Sequence, residues 1–157
     1  MKKKIAFFFI FCINIVKVSS VYCIESKIYV SPFNNYTSEI NLEVEFTNIM
    51  IDEILNDGRI CIVNTIDFAD KILSANINQY TIEKLFSLYS NNYFKRYEIL
   101  IMANIILVDK NTSAILWNES VKFMSIVDRT DNLENIRHNI WKMFSRNIIK
   151  QIIKICS

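Results

Sequence analysis

The chain predicts an α+β domain in which two helices pack on one face of a four-stranded mixed sheet, in the order β-α-β-β-β-α. Three observations lead there. The stretch from Lys27 to Leu73 reads as strand, helix, strand with its punctuation intact. A run from Lys95 to Val108, nearly continuously apolar from Ile99, meets its antiparallel partner, Ala114 to Val127, across a turn of polar residues. The C-terminus carries a broad apolar stripe at helical spacing, wide enough to cover a sheet.

The first strand, Lys27-Ile28-Tyr29-Val30, breaks at Ser31-Pro32-Phe33-Asn34-Asn35-Tyr36-Thr37. Pro32 has no amide to give a ladder, and Asn and Ser side chains satisfy turn backbone. Beyond the turn, Leu42, Phe46, Ile49, Met50 and Ile54 recur at spacings of three and four, which places them on one helical face. Asn41 is the expected N-cap, and Glu43 and Glu45 put negative charge near the positive end of the helix. Asn56-Asp57-Gly58 ends it with the chain's only glycine, where a C-terminal cap calls for positive φ. Arg59 to Val63 returns as a strand.

From Lys71 to Glu83, Leu73, Ala75 and Ile77 alternate with Ile72, Ser74, Asn76 and Asn78, a strand with one apolar face. Leu85 to Phe94 is a loop rich in aromatics, Ser and Asn. The next run is almost unbroken from Ile99 to Val108, as a strand covered on both faces would be. Asp109 to Ser113 turns it into its antiparallel partner. Asp131 and Glu134 then make a capping-box-like start for the last helix, and Arg146, Lys150 and Lys154 suit its C-terminal half. Its stripe is Leu133, Ile136, Ile140, Phe144, Ile148, Ile152 and Ile155, broadened by Trp141, Ile149 and Ile153. The sheet face away from the helices is expected to be partly solvated or covered by something else.

Residues 1–20 read as a signal peptide and 21–157 as a single domain. Lys2-Lys3-Lys4 precedes an apolar run, Ile5 to Val16, shorter than the roughly 20 residues a spanning helix needs. Val18 and Ser20 fit the small-residue positions of an ordinary cleavage site. The alternative is lipoprotein processing before Cys23, which would leave that cysteine acylated as a membrane anchor. Tyr22 stands where such processing expects a small residue. Lys2, Lys3, Lys4 and Lys17 leave with the leader, so 14 basic residues then face 16 acidic ones. Nothing in that balance points to nucleic acid as a partner.

Val30-Ser31-Pro32-Phe33-Asn34-Asn35-Tyr36-Thr37 resembles the V-x-P-F-x-N-x-T element that opens the LptE family of lipopolysaccharide-assembly lipoproteins. Phe46-Thr47, Leu55, Gly58-Arg59, Val63, Ala69-Asp70, Leu73, Ile77 and Tyr80 continue that pattern in order. Tyr97, Asp109-x-x-Thr112 and Leu116-Trp117 fit the later hairpin, although Ser113 and Ala114 stand where the family often has glycine, which implies a longer or more strained turn. The resemblance implies an outer-membrane subunit on the periplasmic side that sits inside an LptD-type β-barrel, supports its assembly and contacts lipopolysaccharide. The same opening occurs in periplasmic scaffolds and regulators of the TolB and LpoB type, which serve other envelope machines.

Catalysis finds no footing, and no cofactor is implied. His138 is the single histidine and falls off the apolar stripe, between Glu134 and Lys142 on the helix. No Ser-His or Cys-His arrangement has a second candidate, and one glycine makes no phosphate-cradling loop. Asp52 and Glu53 are expected on the solvated helix face. No C-x-x-C suggests a metal or redox site. Cys23, Cys61 and Cys156 remain after the leader. Cys61 and Cys156 either pair or, as the preferred reading, are small buried hydrophobes. Lys84, Lys95 and Arg96 flank the loop Leu85 to Phe94 and are the candidate contacts to an anionic glycolipid. Arg is suited to bidentate phosphate recognition. Their bland reading is solubilising charge at strand ends.

Overall fold

The computed structural model describes residues 24–86, 95–128 and 133–157. The expected signal peptide, Cys23, most of the loop before Lys95 and the Asp131 half of the capping box lie outside these residues.

Among the described residues the apolar alternation resolves into six strands and two helices. They are β1 (Ile24–Val30), β2 (Asn34–Asn35), α1 (Leu42–Asp57), β3 (Ile60–Ile62), β4 (Lys71–Phe86), β5 (Lys95–Asp109), β6 (Ile115–Asp128) and α2 (Leu133–Cys156). A short 3-10 turn, Ile66–Phe68, precedes β4. The sheet runs β3-β1-β4-β5-β6, with β2 pairing β4 beyond the end of β1. The α+β class holds, but the sheet is wider than four strands. All five extended runs join it, and Asn34–Asn35 adds a sixth that its turn-like composition hides.

Parallel and antiparallel pairing divide the sheet. β1 lies between β3 and β4 and runs parallel to both. β4, β5 and β6 form an antiparallel meander, in which Leu73 pairs with Leu107 and Leu107 with Trp117. A register shift between Ile77 and Gln79 restores the inward phase at Tyr80, opposite Ile101.

One face of the sheet makes the core. Leu73, Ala75, Ile77, Ile99, Ile101, Ala103, Ile105 and Leu107 are buried beneath the helices. Every residue of the expected α1 stripe is buried, as are Ile136, Ile140, Trp141, Phe144, Ile148, Ile149 and Ile152 of α2. Ile155, expected in the stripe, is exposed, while Ile153 and Cys156 beside it pack against the core. Phe46 stacks on Trp141 with ring centroids 4.5 Å apart, so the excess width of the α2 stripe is spent on α1. On the other face, Leu100, Met102, Ile106 and Val108 are partly covered, while Met124 and Ile126 are exposed.

The helix ends differ from each other. Gly58 holds φ 73° and its N–H donates to Ile54 O at 3.1 Å, the left-handed cap that its place requires. Asn41 occupies the N-cap position but caps nothing with its side chain. It sits at φ 65°, a left-handed conformation that Asn tolerates better than most residues.

Candidate functional site

The residues that carry the family pattern hold backbone together. Phe33 packs on Phe46 with centroids 4.8 Å apart, and its N–H donates to Thr47 Oγ1 at 3.0 Å. Asn35 Oδ1 accepts from Thr37 N at 2.9 Å, while Asn35 Nδ2 donates to Glu39 O at 2.6 Å and Glu43 Oε2 at 3.1 Å. The V-x-P-F-x-N-x-T element thus locks the exit of β1 to the start of α1. Asp70 ties the middle of β1 to the end of β5: its carboxylate accepts from Lys27 N at 2.8 Å and its carbonyl from Lys110 N at 2.8 Å.

The β5–β6 turn follows the same logic. Asp109 Oδ1 accepts from Asn111 N at 3.0 Å and from Thr112 N at 2.8 Å and Thr112 Oγ1 at 2.9 Å. These bonds, led by that from the Thr112 backbone, hold the Asp109 carboxyl below the usual carboxylate range. Ser113 follows at φ 58°, a position that glycine takes without strain. The strained turn expected from Ser113 is present, and the Asp109–Thr112 bonds offset its cost.

Of the candidate cations, Lys84 and Arg96 have described side chains. Lys84 pairs in register with Tyr97, Leu85 with Arg96, and Phe86 with Lys95. Successive strand residues point to opposite faces, so Lys84 and Arg96 serve different faces of the sheet. Both are exposed. Arg96 also has an interaction with neighbouring groups, and Arg96 pairs in register with Asp128 of β6. The Lys95 side chain and residues 87–94 lie outside the described residues.

Three polar features were not legible in the sequence. Glu53, expected on a solvated face, is only 4% exposed, and its Oε2 accepts from Arg146 Nε at 2.6 Å. The carboxylate is covered because α2 crosses α1 there, a packing that no local pattern announces. Tyr80 stacks on Trp141 at 6.1 Å, and burial pushes its phenol up to about 12 against the opposing charge of Arg137. Arg137 Nε lies 2.9 Å from Glu45 Oε2, close enough for an ion pair although not aligned as a hydrogen bond. Third, Cys61 is disulfide-bonded and Cys156 is a free, half-buried thiol. The preferred reading of Cys61 as a simple hydrophobe is therefore corrected, and the two do not pair. The odd cysteine count after the leader was the available signal.

His138 is exposed, as its place off the stripe required. Among the described residues no group of His, Cys, Asp and Glu is arranged to hold a metal ion. Within the same residues no helix is long and apolar enough to cross a membrane.

The fold recurs in solved structures of low identity. Protein XCC0632 from Xanthomonas campestris superposes with a TM-score of 0.58 at 7% identity, covering 83% of this chain and 85% of that one. An uncharacterised lipoprotein B from Nitrosomonas europaea gives 0.51 at 15% identity over 81% of each chain. A PelC dodecamer from Paraburkholderia phytofirmans gives 0.50 at 13% identity, covering 77% of this chain and 86% of that one. At these identities the likeness is one of fold alone. No curated protein sequence matches the chain. The family model for LptE, described as lipopolysaccharide-assembly, matches residues 26–154, from the first strand almost to the end of α2, and the chain belongs to that family.

Proposed function

We propose that this protein is a non-enzymatic subunit of lipopolysaccharide assembly, acting on the periplasmic side of the outer membrane with a β-barrel of the LptD type. The observation that carries this reading is the family match across the whole folded domain. The residues that carry the resemblance tie backbone together, so the working surface belongs to what that scaffold displays. The far end of the β4–β5 hairpin displays Lys84 and Arg96, one toward each face. An anionic glycolipid passing that end would meet cations from both sides.

Purification of the protein from native envelopes is expected to bring a large outer-membrane β-barrel with it. Recovery of a cell-wall synthase or Tol components instead would move the protein to the TolB or LpoB kind of function. For the glycolipid contact, Lys84→Ala, Lys95→Ala and Arg96→Ala combined are expected to weaken lipopolysaccharide binding roughly tenfold, since exposed charges contribute only modestly each. Thermal stability and barrel association should be unchanged. Binding as tight as the parent's at moderate salt would remove this end of the sheet from the contact.

A further inference from the structure

We infer that the outer edge of β6 is a strand-addition site, which takes an extended segment of a partner protein alongside the cleft between β6 and α2. The inference deepens the proposed function and rests on it only for the partner's identity, a β-barrel of the outer membrane.

The two edges of the sheet are unlike. β3 forms one edge with three residues, too few to template another strand. β6 forms the other with 14, and among the described residues it pairs only with β5. Alternate residues of an antiparallel edge strand turn their N–H and C=O groups outward, which is about seven residues here. Natural sheets blunt such an edge with proline, bulges or charged residues, lysine above all. β6 has no proline and one lysine, Lys122. Its register against β5 shifts only beside the turn, between Leu107 and Val108. From the Leu107 and Trp117 pair to the Arg96 and Asp128 pair it runs unbroken. The edge is long and regular.

Both faces beside this edge offer surface to added side chains. On the helix side, Trp117 and Val121 of β6 and Ile148 of α2 line a cleft of about 270 Å³, with Glu119, Asn147 and Gln151 as its polar groups. On the opposite face Met124 and Ile126 are 55% and 57% exposed, and Met124 pairs in register with Leu100. A strand laid along β6 alternates its side chains between these two surfaces. Residues on one side of it enter the cleft, and those on the other cover Met124 and Ile126.

This combination specifies the occupant. A lipid chain offers nothing to a row of amides and carbonyls, whereas a peptide strand answers each of them. Backbone bonds along the edge supply affinity, and the cleft selects among alternate side chains. The fitting segment is extended, with apolar residues at every second position. Membrane β-barrels are built of strands with that alternation.

The test is photo-crosslinking in the native envelope, with a benzophenone amino acid placed in the full-length protein at Ser120, Lys122 or Met124, three exposed alternate positions of β6. Each probe is expected to reach the same segment of one partner. The cross-linked residue should step by about two positions from probe to probe, as paired strands require. A probe at Met143, exposed on α2, should not reach that segment. Ser120→Lys combined with Met124→Lys should abolish the adduct at Lys122 and leave the thermal midpoint unchanged. If that variant loses stability, the stepping in the parent protein still decides. A stepped adduct to a barrel protein supports both readings. A stepped adduct to another envelope protein supports the strand site and removes the barrel from the proposed function. No adduct, adducts scattered over unrelated segments, adducts to lipid or to β6 of a second copy, or stepped adducts undiminished by the two lysines would each overturn the inference.

Discussion

Glu53 on α1 is buried, while most of the side chain of its partner, Arg146 on α2, faces solvent. The asymmetry decides which half of the pair matters. An exposed arginine that loses its carboxylate is rehydrated at little cost, but a covered carboxylate that loses its arginine keeps its charge in a poor medium. Arg146→Ala is expected to cost about 1–3 kcal/mol, the low end for stranding a buried charged acceptor because water reaches the arginine side. Glu53→Gln retains an oxygen for Arg146 and should cost less. Chemical denaturation of both variants checks the order, and a larger loss for Glu53→Gln would show that the pair does not govern this contact. The same scale explains why Glu53 was misread. It lies next to the apolar stripe of α1, and only the arrival of α2 decides whether that flank meets water.

At the scale of elements, stops are as instructive as stripes. Gly58 closes α1 in a left-handed conformation, and Arg59 beside it binds Asp57 at 2.7 Å, which holds the Asp57 carboxyl below its ordinary range. A β-branched residue at Gly58 is expected to lower stability by about 1–2 kcal/mol, the steric cost of positive φ, plus whatever strain reaches β3. An unchanged thermal midpoint for Gly58→Val would show that the turn relaxes without loss. Gly58, the α1 stripe and the alternation of β4 were legible because each is set by neighbours within a turn or two of chain. Asn34–Asn35 was not, since a two-residue strand has no period and Asn is a turn former. Asn41 misled for a related reason. Its side chain is a common cap, but its tolerance of left-handed backbone is what this entry to the helix uses. The cations at the end of β4 and β5 were found as charges, whereas their separation onto two faces needed the register past the shift at Ile77.

For the whole molecule, the question is whether the parallel and antiparallel parts of the sheet unfold together, as we propose for a single domain. The edge pair β1–β3 and the meander β4–β6 share β4 on the sheet, and the helices join them from above. Phe144 stands at that joint. It is fully buried, with Phe46 of α1 at 5.4 Å, Phe123 of β6 at 6.1 Å and Trp141 of its own helix at 6.0 Å. Truncation therefore opens space between α1, α2 and the meander at once. Phe144→Ala is expected to cost about 3–5 kcal/mol, the range for removing a buried aromatic ring. If the domain is one cooperative unit, the denaturant midpoint should fall with the slope of the transition unchanged and with fluorescence and circular dichroism moving together. Two separated transitions in the variant would instead show that the meander folds without the β1–β3 edge. A midpoint close to the parent's would mean that Phe144 does not carry the core at this joint.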